Sequence, residues 1–261
     1  MSRTGLVIAL ALAVAVGLLF GLLPDLDLAL ERPFYDPAWA SIGGFLAAYN
    51  PLLNRLRDLA RVISALLVAP AILAVLGKLV APRWRMLIPG RAAVLLISTL
   101  ALGPGVLTNL VLKDHWGRPR PLDVTAFAGD LQFMPWWDPR GDCPTNCAFV
   151  AGEPSGAFWT LAPAALAPPA WRGAATAAAL VFGAAVGLIR MVGGGHFFSD
   201  VAFAGVFTFL VIWGTHGLLF RWPATRTSDR TIERWLERLA RPWRAPQAKP
   251  LELPAAAAEE D

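Results

Sequence analysis

The chain has 261 residues, of which 56% are hydrophobic and 16% charged, with a formal net charge of +4. So little charge, with the apolar residues in long blocks, excludes a soluble globular domain and points to a polytopic membrane protein, since a span takes roughly 20 apolar residues. The small positive charge comes from loop and tail arginines and suits anionic lipid headgroups rather than nucleic acid; two cysteines are too few for a disulfide framework or a four-ligand zinc site.

In chain order, hydropathy predicts six spans, over residues 5–23, 62–80, 92–112, 155–171, 174–192 and 201–220. The first is longer than a signal-peptide core and no small-x-small cleavage site follows, so it is expected to remain as a helix. The fourth, with LAPAALAPPAW, is short and proline-rich, and a kink is expected there. Glycine and alanine crowd the fourth and fifth, as where membrane helices approach closely. Lys78, Arg83, Arg85 and Arg91 cluster around the second connection, and arginines from Arg221 onward fill the tail. By the positive-inside rule both face the cytoplasm, leaving residues 25–61, 113–154 and 193–200 on the outer side. Residues 1–220 thus form one membrane domain. In SDRTIERWLERLARPW, Ile232, Trp235, Leu236, Leu239 and Trp243 recur at helical spacing among arginines, so residues 221–247 are expected to lay an amphipathic helix on the inner membrane surface. Residues 248–261 have a disordered composition.

Reactive side chains gather where spans end. In KDHWGRPRP, residues 113–121, Lys113, Arg118 and Arg120 fall close together while Pro119 and Pro121 stiffen the chain. Cations at a membrane boundary often serve as snorkelling anchors. A stiff chain holding several of them suits a fixed anion better, because arginine and lysine stabilise phosphate best when preorganised. In RMVGGGHFFSD, residues 190–200, Arg190 closes one span, three glycines turn the chain, and His196 precedes Asp200 by four residues. That spacing puts both on one helical face. A carboxylate bonded to one imidazole nitrogen would fix the tautomer and leave the other nitrogen free to attack. Cys143 and Cys147 bracket Pro-Thr-Asn on the expected outer side. They form either a small local disulfide that holds the approach to residue 153 or two free thiols.

Lys113-x6-Arg120-Pro121 and Arg190-x5-His196-x3-Asp200 resemble the first and third motifs of the type 2 phosphatidic acid phosphatase family, which shares its site with vanadium haloperoxidases. The resemblance covers roughly residues 94–219. It implies an all-α membrane phosphatase needing neither metal nor other cofactor. Lys113, Arg120 and Arg190 would bind phosphate oxygens, and His196 would attack phosphorus to form a phosphohistidine, with Asp200 orienting it.

The family's middle motif, Ser-Phe-Pro-Ser-Gly-His, has two candidate registers. Pro154-Ser155-Gly156-Ala157 lacks the histidine. AFVAGE, residues 148–153, sets Phe149, Gly152 and Glu153 against the phenylalanine, glycine and histidine, and is the register adopted. Gly152 would then bind phosphate and Glu153 would protonate the leaving group, provided a dry site raises its pKa against neighbouring arginines. Ser155 would supply the hydroxyl missing from the motif, Arg118 a further phosphate cation, and His115 a substitute acid. The aromatic FMPWWDP, residues 133–139, is expected to dip into the membrane interface.

The sequence thus predicts a six-span, all-α lipid phosphatase of a bacterial inner membrane with its site facing outward. Its substrate would be a lipid phosphate or diphosphate such as phosphatidate, phosphatidylglycerophosphate, undecaprenyl diphosphate or lipid A. The alternatives are a lipid-to-lipid phosphotransferase and a non-catalytic lipid-phosphate-binding protein or transporter.

Overall fold

The structure, a computed structural model, describes residues 1–240. Among the described residues, five helices are long and apolar enough to cross a membrane. These are α1 (Arg3–Leu22), α3 (Pro51–Val80), α4 (Gly90–His115), α7 (Pro169–Val192) and α8 (Phe198–Arg221). Short helices complete the set: α2 (Asp25–Glu31), α5 (Gly152–Phe158), α6 (Leu161–Leu166) and α9 (Asp229–Ala240). The described residues contain no β-strand, only one isolated bridge between Val124 and Leu131.

Local chemistry sets the helix starts. The Ser2 hydroxyl accepts the Gly5 amide at 3.1 Å to cap α1. Asn50 does the same for α3, accepting from Leu52 and Leu53, with Pro51 at the first helical position. α4 widens into a π-helical stretch over Ala101–Leu112 that contains Pro104. The Pro104 carbonyl accepts from Asn109 Nδ2 at 2.6 Å.

The segment expected as the fourth span is divided. α5 ends at Phe158, α6 restarts at Leu161, and Ala167 is extended before Pro168. This pair, about 22 Å if straight, is shorter than a roughly 30 Å hydrocarbon core and runs through the interior of the bundle, with Trp159 and Ala162 fully buried. Polar contacts pin it there. Trp159 Nε1 donates to Thr99 Oγ1 at 3.0 Å, and the Ser155 hydroxyl pairs with Thr108 at 3.1 Å and Thr208 at 2.7 Å. α7 can pack closely only because of its glycines: a Cβ at Gly183 would strike the Phe158 ring, and one at Gly187 would strike Val201. The outside of the bundle is correspondingly apolar, with Leu66, Leu73 and Val181 about two-thirds exposed.

α9 differs from the expectation of a helix lying only on the membrane surface. Ile232, Leu236 and Ala240 are buried against the ends of α3 and α4. Lys78 reaches Glu237 at 2.7 Å and Glu233 at 3.7 Å, and Arg91 pairs with Asp229 at 3.1 Å. Trp235 and Leu239 remain exposed. The aromatic loop is likewise turned inward in part. Trp136 packs tilted against Phe203, ring centres 4.4 Å apart, and donates to the Gly17 carbonyl at 3.2 Å, leaving Trp137 as its exposed ring. Trp243 and the tail at residues 248–261 lie outside the described residues.

Candidate active site

The C-terminal ends of α1, α4 and α7 and the N-terminal ends of α3, α5 and α8 meet at one end of the bundle, and the loop at residues 116–151 covers them. His196 sits in the turn between α7 and α8 and is 1% exposed. Gly194, at φ +64, makes that turn, and Gly195 leaves the space across which the Arg190 guanidinium lies. His196 Nδ1 is 2.7 Å from the Ala148 carbonyl. Burial, followed by the charges of Arg190, Lys113 and Arg120, holds the imidazole well below its ordinary pKa. A neutral ring whose Nδ1 faces an acceptor keeps its proton there and presents the Nε2 lone pair.

Asp200 departs from the expected orienting role. Its Oδ2 stays 4.0 Å from His196 Nδ1, outside hydrogen-bond range, and accepts instead from the Phe197 amide at 2.8 Å. Its Oδ1 receives Arg118 Nη1 at 2.5 Å. Arg118 is fully buried, so the expectation of a further phosphate cation is corrected by its partners. Besides Asp200, it donates to Ser199 Oγ at 2.8 Å, Asp27 Oδ2 at 2.8 Å and the Met134 carbonyl at 2.9 Å. It also stacks over the Phe197 ring at 4.6 Å. Glu31, one turn after Asp27 on α2, is buried with neither carboxyl oxygen hydrogen-bonded. Burial, then the charges of Asp200 and Asp27, push its pKa up to about 10, so it is a neutral acid.

Three half-buried cations, Lys113, Arg120 and Arg190, stand near the imidazole. Lys113 Nζ donates to Asn146 Oδ1 at 2.9 Å, while Arg120 grips the Asn146 carbonyl through Nε at 3.1 Å and Nη2 at 2.6 Å. Asn146 therefore ties both cations to the loop closed by a Cys143–Cys147 disulfide. Arg190 Nε lies 3.7 Å from Glu153 Oε2. Gly152 lies close under the site, since a Cβ there would be 2.7 Å from Asn109 Oδ1, which would have to shift, and in van der Waals contact with Lys113 Nζ at 3.4 Å.

Glu153 is placed among these cations, but as an ion. Its carboxylate accepts Arg57 Nη2 at 2.7 Å and Nε at 2.9 Å. Burial pushes its pKa up, but the Arg57 hydrogen bonds and the charges of Arg190, Arg57 and Arg61 outweigh that and hold it below the ordinary range. The expected proton donor is thus an occupied carboxylate. Two other expectations also move away from the site. Ser155 is buried among the threonines described above, facing the bundle interior. His115 is exposed, with Nδ1 2.9 Å from the Val111 carbonyl of its own helix. Arg57, Asp27, Glu31 and Asn146 belong to neither motif. For the first three the signal in the sequence is charge inside or beside apolar runs, which helix ends display for many reasons, and Asn146 carries none beyond its place between the two cysteines.

Three cations gathered around a neutral, buried imidazole are equipment for handling phosphate, and the apolar exterior sets them in a membrane: the class is a membrane phosphatase. Residues 92–227 match the PAP2 superfamily, and the chain belongs to that superfamily. It is 36% identical over 223 residues to the lipid A 4'-phosphatase of Francisella tularensis subsp. novicida (strain U112), covering 85% of this chain and 98% of that one. It is also 38% identical over 105 residues to the lipid A 4'-phosphatase of Rhizobium leguminosarum, covering 40% of this chain and 45% of that protein. No solved structure is significantly similar. The family read from the two sequence motifs is therefore the one found, and the protein is a lipid phosphatase, a hydrolase of phosphoric esters.

Proposed function

We propose that this enzyme removes a phosphate from lipid A, at the 4' position. The observation that supports it is the near end-to-end likeness to the Francisella lipid A 4'-phosphatase, 98% of which is covered. Lys113, Arg120 and Arg190 hold the phosphate oxygens, and His196 Nε2 attacks phosphorus. The phosphorus–oxygen bond to the sugar breaks with its electron pair going to the sugar oxygen, which takes a proton from water, and the phosphoryl group stays on the imidazole until a second water displaces it as inorganic phosphate and restores the neutral ring. Side-chain cations thereby carry the charge that builds on the transferring group. The α5–α6 pair serves as the fourth of six crossings. The site faces the periplasm across an inner membrane, because Lys78, Arg83, Arg85 and Arg91 lie at the opposite end of the bundle.

Purified protein in detergent, offered lipid A, phosphatidate, phosphatidylglycerophosphate and undecaprenyl diphosphate in parallel, tests the substrate. Release of inorganic phosphate from lipid A, with the lost group mapped to the 4' position by tandem mass spectrometry, is expected. Preference for a glycerophospholipid would overturn it. Single cysteines at Asp130 and Arg238, in a background lacking Cys143 and Cys147, test the orientation. An impermeant thiol reagent applied to intact spheroplasts should label the first position only.

A further inference from the structure

We propose that Arg57 is a fourth cation of the phosphate site, and that Glu153 is an ionised positioning residue that holds Arg57 and Arg190 in place. Arg57 belongs to α3, which precedes the segment matching the superfamily, so neither motif assigns it. The proposal rests on a phosphate binding beside His196 and is independent of which lipid carries it.

Glu153 and Arg57 meet side-on through two parallel hydrogen bonds, the geometry in which a guanidinium is fixed in both position and plane. Each side chain is only 24% exposed, so solvent screens the pair weakly. Arg57 Nη1 also donates to Asn54 Oδ1 at 3.0 Å. Three of its five N–H groups are thus engaged and two remain for an anion. The helices that carry the pair are themselves locked, since Ser64 Oγ on α3 donates to the Gly156 carbonyl on α5 at 3.1 Å. Glu153 therefore stands between two arginines from different helices, Arg57 and Arg190. It screens their mutual repulsion. Lys113 and Arg120 bring the cations around the site to four, set against Glu153 and the flanking carboxylates of Asp58, Asp114 and Asp123, so it is their fixed N–H donors that suit a phosphate dianion. A carboxylate so engaged has no proton for a leaving group at neutral pH.

Inorganic phosphate is the probe, as a competitive inhibitor and as a ligand in calorimetry. Wild-type protein in detergent should bind it, and Arg57→Ala should weaken binding about tenfold, the scale of a lost charge-assisted hydrogen bond. KM for lipid A should rise by a similar factor while kcat stays within about threefold. Glu153→Gln should behave alike, and the double variant should be no weaker than the worse single, because both changes break one unit. Arg57→Lys, which keeps charge but not the planar fork, should recover part of the loss. An activated aryl phosphate separates this role from acid catalysis. A positioning Glu153 affects aryl and lipid phosphates equally, whereas an acid would lower kcat on the lipid alone. Unchanged phosphate affinity in Arg57→Ala overturns the proposal, as does a Glu153→Gln defect confined to kcat on the lipid. Wild type that does not bind phosphate overturns it together with the site itself. If Arg57→Ala does not fold, judged by elution and thermal unfolding in the same detergent, Arg57→Lys and Arg57→Gln carry the comparison.

Discussion

His196 Nδ1 is held 2.7 Å from the carbonyl of Ala148, 48 residues earlier in the chain, while Asp200 on the next helical turn stays 4.0 Å away. A carbonyl can only accept, so this contact fixes the tautomer that leaves Nε2 free. Asp200 acts at one remove, through Arg118 and the Phe197 amide, on the turn that carries the imidazole.

His196→Ala is expected to abolish turnover while inorganic phosphate still binds, because the cations that grip it come from other elements. Phosphate release and calorimetry on the same preparation check this. Turnover within tenfold of wild type would remove His196 from the reaction.

The pH profile should reflect the depressed imidazole. His196 works as a neutral ring, and its folded pKa lies below the ordinary 6.5. Activity should therefore persist as pH falls through 6.5 and fail only in more acid solution. The measurement is kcat/KM against pH, corrected for the separately determined titration of the substrate phosphate. An acid limb centred at or above 6.5 would contradict the neutral, buried state.

Glu31 supplies a stability signature of opposite origin. Its folded pKa, about 10, lies above the ordinary 4.5, so between these values the folded state holds a proton that the unfolded state has lost. Its contribution to stability is complete below pH 4.5 and declines as pH rises towards 10. Glu31→Gln removes that decline. The variant should gain thermal stability over wild type at pH 8 and gain little at pH 5, by thermal unfolding in detergent.

Arg118→Ala should be among the most damaging single changes. It strands Asp27 and Asp200 as buried carboxylates without their cation, a loss of about 3–5 kcal/mol for one partner of a buried pair. Arg118→Lys should rescue little, since one ammonium cannot reach Asp27, Asp200, Ser199 and the Met134 carbonyl together. Unfolding temperature and expression level are the readouts. A stable Arg118→Ala protein would contradict the keystone role.

Opening the Cys143–Cys147 loop should loosen the grip on phosphate. Asn146 within it binds Lys113 through its side chain and Arg120 through its carbonyl. Cys143→Ser/Cys147→Ser is expected to raise KM severalfold with kcat nearly unchanged, and reductant should do the same to wild type. Kinetics with and without reductant, using the double variant as the control that no longer responds, check this.

The sequence by itself determined the class of this protein. Span length and composition are written locally, so five membrane-length helices were legible, and both flanking motifs put their cations and histidine within a few residues of span ends. Within the fourth apolar stretch, hydropathy averaged across a division that backbone geometry imposes at Trp159–Thr160 and before Pro168. Tertiary structure alone decided which charges meet. Glu153 and Arg57 are 96 residues apart, and Arg118 and Asp27 are 91 apart. The four-residue spacing suggests one helical face for His196 and Asp200, but the helix begins only at Phe198, so His196 lies in the preceding turn and takes its partner from Ala148. Partners delivered by other helices turned an expected acid into an ion and an expected phosphate ligand into a buried keystone, because in a packed, poorly solvated bundle a charge takes its role from the groups that desolvate and pair it.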